Sequence, residues 1–261
     1  MSSNAYSRTI LLFMIMMTMI GCTVKEDRSD CPMPLTVVPG IRAVAVPVRY
    51  HLKSEGETAW NGVFVCEADS SLSIEVPRRY LESFASYSKT DYYDPDGNYI
   101  IPSGSDCPEI WTHSAVLDAT KPLVSDTVDL YRSCACITFI VRGSGSRGQT
   151  MGLVGEVCGF LRDGRPAVGA FHCRAGEAGS IDGSGRWTVC VPRQSDDSLV
   201  LEMESSGIYR LFPVGHFLDE SGYDWTAREL EDVTIEIDYA SYHVRVRTNA
   251  WEHTLTFDIR F

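Results

Sequence analysis

The sequence predicts a mainly β protein folded as two β-sandwiches that divide near residue 130. Three observations carry this. The C-terminal region alternates with period two: Val233, Ile235, Ile237 and Tyr239 are interleaved with Thr234, Glu236 and Asp238, Val244 and Val246 with His243, Arg245 and Arg247, and Leu255, Phe257, Ile259 and Phe261 with Thr256, Asp258 and Arg260. Successive side chains of a strand point to opposite faces, so each such strand has one apolar face, which a sheet buries against a partner sheet. Clusters of Gly, Pro, Asn and Asp punctuate the chain at the short intervals of a sandwich. No long segment shows a 3.6-residue period with helix caps. The chain has 261 residues, 44% of them hydrophobic. That is room for two modest domains, at about 100–200 residues each, and enough apolar material for their cores.

Taken in order, the chain opens on a targeting signal. Arg8 precedes an apolar run over residues 10–20, and Gly21 precedes Cys22. A charged region, an apolar region and a small residue at the cleavage point are the layout of a secretory signal. The run is about half of the roughly 20 residues that a membrane-spanning helix needs. Met19-Ile20-Gly21-Cys22 is similar to a bacterial lipobox, with Met where Leu is usual. Residues 1–21 are then a signal peptide cut between Gly21 and Cys22, and Cys22 is the site of lipidation (palmitate). Hydrocarbon burial contributes about 0.8 kcal/mol per CH₂, so one acyl chain holds marginally and more than one holds firmly. Lys25-Glu26-Asp27 lies on the tether, residues 22–34. It reads as a solvated linker and also looks like the acidic export signal that sends some lipoproteins to the outer face of the Gram-negative outer membrane. Cys31-Pro32-Met33-Pro34 is expected to be irregular, because proline restrains itself and its predecessor.

An N-terminal sandwich is expected over residues 35–130 and a C-terminal one over 131–261. In the first, residues 41–48 and 62–66 read as strands, and Leu72, Ile74 and Val76 alternate with Ser71, Ser73 and Glu75 up to Pro77. Residues 79–87 fit either a turn or two of helix or an extended strand. Residues 92–99 carry Asp96-Gly97 and read as a hairpin tip; a calcium loop would need further ligands at set spacing and a closing Glu. Residues 100–109, with Pro102, Gly104 and Pro108, read as loop, 111–117 as strand, and 119–126 as the approach to the boundary. In the second, residues 128–142 form a clear strand region, with Ile137, Phe139 and Val141 on one face and Cys134, Cys136, Thr138 and Ile140 on the other. The glycine-rich stretch 143–148 is a turn: Gln149-Thr150-Met151 follows it, where a phosphate-cradling loop would continue Gly-Lys-Ser/Thr. Residues 152–161 and 169–174 are strands joined by Asp163-Gly164-Arg165-Pro166. A glycine turn at 180–185 leads to the alternations Trp187, Val189, Val191 and Leu199, Leu201, Met203.

Composition narrows the function. A net charge of −12 argues against a nucleic-acid partner, since phosphate binding needs clustered Lys and Arg. With Cys22 lipidated, eight cysteines remain of nine. An exported protein can pair them, in any of about 105 ways. Cys134 and Cys136 share a strand face and are poorly placed to bond with each other. No Cys-x₂₋₄-Cys spacing points to zinc. None of the six histidines, His51, His113, His172, His216, His243 and His253, sits in a catalytic motif. His243 and His253 fall in the polar phase of their strands. Trp60, Trp111, Trp187, Trp225 and Trp251 are dispersed, with Trp187 in phase with core residues. No cofactor, metal or small-molecule substrate is expected. Two rival readings remain. A glycan-binding surface lipoprotein would show several tryptophans on one face or in one cleft. A hydrolase would need a buried carboxylate or a Ser/His pair in a pocket.

The stretch Cys22-Thr23-Val24-Lys25-Glu26-Asp27-Arg28-Ser29-Asp30-Cys31-Pro32 resembles the start of mature fimbrillin-associated anchor proteins of type V fimbriae. Gly222-Tyr223-Asp224-Trp225, residues 230–240 and residues 244–251 are similar to the closing pattern of that family. Met33 stands where the family often has a second Cys after Cys-Pro. The resemblance implies two transthyretin-like, Greek-key β-sandwich domains and no catalytic residue. It implies an accessory subunit held in the outer membrane by lipid on Cys22, facing the cell surface, that seats or terminates a fimbria. Its partner would be a fimbrial stalk subunit, joined by β-strand addition, in which one chain supplies a strand to another's open groove.

Overall fold

The computed structural model describes residues 31–41, 45–142, 150–175, 177–181, 184–205, 207–238 and 243–256. Gly21, Cys22, Lys25, Glu26 and Asp27 lie outside the described residues, as do the glycine turn at 143–148 and Tyr239, Phe257, Ile259 and Phe261. The described chain is mainly β, with one short helix and two separate hydrophobic cores.

The first core lies between two sheets. β1 (Met33–Pro39), β2 (Val46–Ser54), β3 (Glu57–Cys66), β4 (Leu72–Val76) and β5 (Tyr80–Ser88) are followed by the short β6 (Tyr99–Ile100), then β7 (Ile110–Asp118), β8 (Val124–Val128) and β9 (Tyr131–Arg132). One sheet has the order β4-β1-β8 and the other β3-β2-β5-β7-β9. β1 pairs antiparallel with β4 and parallel with β8. Met33, Leu35 and Val37 of β1 and Ile74 and Val76 of β4 face Val48, Tyr50 and Leu52 of β2 and Leu81 and Ala85 of β5.

Several expectations change here. Met33 and Pro34, placed in an irregular tether, already belong to β1. Pro34 precedes the register with β8, which starts at Leu35, and a strand end tolerates the missing N–H. The strand expected at 41–48 begins at Val46 and runs to Ser54. Residues 79–87, undecided from sequence, form β5, a strand paired on both sides, by β2 and β7. Its Ser83, Phe84, Ala85 and Ser86 are all buried, because its outer face is also covered, and this hides the period-two signal. Residues 119–126, expected as a boundary approach, lead instead into β8. There Val124, Asp126 and Val128 point inward, and the polar Asp126 breaks the apolar alternation.

The second core lies between two further sheets. β10 (Cys134–Arg142), β11 (Thr150–Phe160), β12 (Pro166–Ala175), β13 (Glu177–Ile181), β14 (Ser184–Pro192), β15 (Val200–Ser205), β16 (Ile208–Phe212), α1 (Val214–Glu220), β17 (Val233–Asp238), β18 (His243–Arg247) and β19 (Glu252–Thr256) follow in order. The larger sheet runs β13-β14-β10-β17-β18-β19, with β17 parallel to β10. The other runs β12-β11-β15-β16, with β6 also on β11. Ile137, Phe139, Trp187, Val189, Ile235, Ile237, Val244 and Val246 pack against Met151, Leu153, Phe171, Leu201 and Met203. The alternations read from sequence in β14, β15, β17 and β18 are the inward faces of these strands, and Trp187 is fully buried. The helix α1, with Val214, Phe217 and Leu218 buried, and the strands β13 and β16 carried no legible period at their lengths of 5–7 residues.

Between β5 and β7 the chain leaves the first core and packs on the second. Tyr99 and Ile100 pair with Phe160 and Gly159 of β11. Ile101 N–H donates to the Cys158 carbonyl at 2.8 Å, Gly104 N–H to His172 at 2.6 Å and Cys107 N–H to Cys190 at 3.3 Å. Tyr99 stacks on Phe160, centroids 5.1 Å apart, and Phe84 of the first sandwich meets Phe160 edge-on at 5.4 Å. Gly159 permits the approach: its φ is 151°, and a Cβ there would sit 1.9 Å from the Tyr99 carbonyl oxygen. Tyr99 is fully buried, so Tyr99→Ala is expected to cost about 3–5 kcal/mol by urea unfolding. Gly159→Ala is expected to destabilise by at least about 1–3 kcal/mol through its left-handed backbone and this clash. An unchanged urea midpoint for either variant would contradict the packing described.

Candidate functional site

Three features of the described chain bear on function: a buried polar centre, a cleft between the two sandwiches, and the free sheet edges. The residues expected to carry lipid and export information, Gly21, Cys22, Lys25, Glu26 and Asp27, precede Cys31, which is exposed immediately ahead of β1. Whatever is attached upstream therefore enters the fold through a strand laddered on both sides.

The polar centre sits in the first core. β2 supplies Tyr50, β7 His113 and β8 Asp126, all buried. The Tyr50 hydroxyl donates to Asp126 Oδ2 at 2.6 Å, and His113 Nε2 contacts Asp126 Oδ1 at 3.1 Å. His113 Nδ1 faces the Asp129 carbonyl at 3.3 Å. Burial alone would raise the Asp126 carboxyl. The hydrogen bonds from His113, Tyr50 and Ser83 outweigh it and hold the group below the usual carboxylate range. Burial, with Asp126 alongside, pushes the Tyr50 phenol up. Asp126 is a buried carboxylate, one of the two features a hydrolase would need, and sequence spacing did not reveal it. Both imidazole nitrogens face acceptors within 3.3 Å, the Asp126 carboxylate and the Asp129 carbonyl.

The cleft has a volume of about 640 Å³ and is lined in part by Phe84, Tyr131, Phe160, Arg193, Trp225 and Arg228. Its cations serve the junction. Arg193 donates to the carbonyls of Trp225 and Ala227, the latter at 2.7 Å, and to Ser133 Oγ at 3.1 Å. The Arg228 guanidinium lies 3.9 Å from the Tyr131 ring centroid. Nearby, Arg132 donates to the Leu230 carbonyl at 2.7 Å and pairs with Asp232 at 2.9 Å, and Lys53 reaches Asp163 at 3.6 Å. Of the five tryptophans, Trp225 alone lines the cleft. Trp187 is core, and Trp60, Trp111 and Trp251 are half-buried against the cores. The arrangement lacks the shared tryptophan face expected of a glycan platform.

In the turn at 92–99, Asp94 accepts from the Asp96 and Asn98 N–H groups and from the Asn98 side chain, each at 2.9 Å. That carboxylate is spent on its own loop. Among the described residues no group of three or more His, Cys, Asp or Glu is placed to hold a metal ion, and no helix is long and apolar enough to cross a membrane. His243 and His253 are both exposed; His243 has the polar phase expected of it, whereas His253 pairs opposite Val246 and shares the face of Leu255, contrary to that expectation, and is exposed because it lies on the edge strand β19.

The sheet edges complete the picture. β3 is an edge of the first sandwich and, at ten residues, a long one. Its Val63 and Val65 are 55% and 54% exposed. β19, the edge next to β18, carries mainly polar exposed side chains. An edge strand presents unpaired backbone groups to another chain unless charge or a bulge blunts it, and β3 combines such an edge with apolar side chains.

The Asp126 carboxyl is depressed on folding, so its stabilisation is present above its unfolded value near 4 and lost as pH falls through the folded value. Asp126→Asn is expected to cost about 3 kcal/mol at pH 7, by leaving a buried pair broken. In urea titrations that difference should narrow as pH falls below about 4. A gap independent of pH would contradict the assignment.

No protein-family model matches the sequence. No curated protein matches it. Solved structures do match by fold. The fimbrial anchor protein Mfa2 from Porphyromonas gingivalis superposes with a TM-score of 0.66 at 13% identity, over 85% of this chain and 99% of that one. A candidate adhesin from Bacteroides ovatus superposes with a TM-score of 0.55 at 10% identity, over 86% of this chain and 96% of that one. Another, from Bacteroides thetaiotaomicron, also gives 0.55, at 11% identity, over 87% of this chain and 99% of that one. The mainly β architecture read from the sequence is therefore the fold of a fimbrial anchor protein and of two candidate adhesins, shared along nearly their whole length.

Proposed function

We propose that the chain is a non-catalytic, lipid-anchored fimbrial subunit that attaches or terminates a type V fimbria at the outer membrane. The observation that carries this reading is the near full-length likeness to a fimbrial anchor protein, which agrees with the family resemblance of the Cys22-to-Pro32 segment. Acyl chains on Cys22 hold the mature protein in the outer membrane, and Lys25, Glu26 and Asp27 direct it to the cell surface. The tether then runs into β1. Because β1 is laddered to β4 and β8, a pull along the tether loads two sets of backbone hydrogen bonds together. The polar centre and the cleft serve rigidity: their ionisable groups are spent on internal bonds, and no substrate chemistry is assigned to them.

The neighbouring stalk subunit joins by β-strand addition. The β3 edge is the receiving surface, since backbone pairing supplies affinity and apolar side chains at alternate positions supply specificity. Val63 and Val65 are two residues apart on one exposed face.

Two experiments test the reading. Cells grown with radiolabelled palmitate should label the wild-type protein and not Cys22→Ala, which should leave the membrane fraction; deletion of the gene should release fimbriae into the medium or lengthen them. An unlabelled wild type, or unchanged surface fimbriae, would overturn the anchor. Separately, Val63→Lys/Val65→Lys should melt like wild type, being on the surface, and lose capture of the purified stalk subunit at least tenfold. Undiminished capture would exclude β3 as the receiving edge while leaving the anchor standing.

A further inference from the structure

The second sandwich carries a cluster of cysteines that the proposed function does not use. Cys136 and Cys190 are register partners on β10 and β14 and form a disulfide. Cys190 turns its backbone away from β10 toward the crossover between β5 and β7: its carbonyl accepts from Cys107 N–H at 3.3 Å, and its N–H donates to Asp106 Oδ1 at 3.0 Å. Asp106 Oδ1 also accepts from Cys107 N–H at 3.1 Å. The crossover thus continues the edge of β14 at the disulfide. Cys134 lies two residues before Cys136, on the same face of β10. The crossover is held over Cys134 from both ends, by Cys107 N–H on the Cys190 carbonyl and by Ser133 N–H on the Ile110 carbonyl at 2.8 Å; the Cys107 thiol donates to the Pro108 carbonyl at 3.4 Å and interacts with the Cys134 thiol, and both residues are buried. We propose that in the mature exported protein Cys107 and Cys134 are joined by a second disulfide, which fastens the crossover to β10 beside the Cys136–Cys190 bridge.

The alternatives are less well placed. Cys173 is an electrostatic neighbour of Cys107 but not a hydrogen-bonding one; it lies on β12, in the opposite sheet, with its thiol directed to the Leu153 carbonyl at 3.8 Å. Cys158 directs its thiol to the Ala167 carbonyl at 3.5 Å. Cys66 belongs to the first core.

The chemistry needs an oxidant, and a disulfide-bearing oxidant of the cell envelope supplies it. Cys134 is the attacking group. Arg132, two residues before it in the chain, favours its thiolate whether or not the crossover has docked. The Cys134 thiolate attacks one sulfur of the oxidant, forming a mixed disulfide and expelling the first oxidant thiolate. Cys107 then gives up its proton and attacks the Cys134 sulfur, and the S–S bond to the oxidant breaks to release the second thiolate. Two protein thiols lose two electrons and two protons, and the oxidant leaves as a dithiol. Because both sulfurs are buried once the crossover has docked, the exchange takes place before docking is complete.

The test uses the full chain isolated from the cell envelope without reductant, denatured in N-ethylmaleimide, digested and mapped by mass spectrometry. The expected product is a peptide pair linking Cys107 to Cys134 and free of maleimide. Maleimide on both residues, or a link from either one to another cysteine, would overturn the proposal. A second measurement isolates the bond. In Cys136→Ala/Cys190→Ala, reductant should still lower Tm by on the order of 5–10 °C, and adding Cys107→Ala should abolish that sensitivity. A melting temperature in the double variant that ignores reductant would also overturn it.

Discussion

The arrangement of the two sandwiches depends on one aromatic contact. Phe160, at the end of β11, is stacked by Tyr99 from the crossover on one side and met by Phe84 from the first sandwich on another. Tyr93 adds a further ring against Tyr99, 4.9 Å away. Such pairs contribute roughly 0.5–1.5 kcal/mol each beyond their buried area, and they sit where the two units meet. The crossover that delivers Tyr99 is also pinned by backbone bonds to both sheets of the second sandwich, at Cys158, His172 and Cys190. Around this core the ion pairs of Lys53 and Arg132 and the bonds from Arg193 to backbone carbonyls tie the same junction together.

The polar centre addresses a different problem. β8 is short and lies at a sheet edge, parallel to β1, and a one-residue slip would turn its inward side chains to solvent. A carboxylate that must meet both Tyr50 and His113 admits one register. Buried ion pairs are weak evidence for stability and better evidence for specificity. Here the cost of burying Asp126 is offset by the donors that surround it, and the result is a fixed seat for β1, the first described strand.

Legibility from sequence followed burial. Where one face of a strand meets a core and the other meets water, as in β14, β17 and β18, the alternation was readable and correct in phase. It failed where that asymmetry is absent. β5 is covered on both faces, β8 carries a polar residue inward, and β13, β16 and α1 are too short for a period to emerge. Of the features weighed for function, the buried Tyr50–Asp126–His113 contacts join residues 13 to 76 positions apart, and no local spacing encodes that. The dispersion of the tryptophans, by contrast, was visible at once and foreshadowed their separate packing sites.

The sequence by itself determined that the chain is mainly β, that its strands carry one apolar face each over much of the second half, and that Trp187 is core, because these follow from the two-residue repeat of a strand and the removal of apolar surface from water. The tertiary structure alone decided which strands are neighbours, that Cys136 pairs with Cys190, that residues 89–109 depart from the first core to cover the second, and that Asp126 is buried. These depend on contacts between distant segments, where pairing energy and shape complementarity act only once the chain has folded.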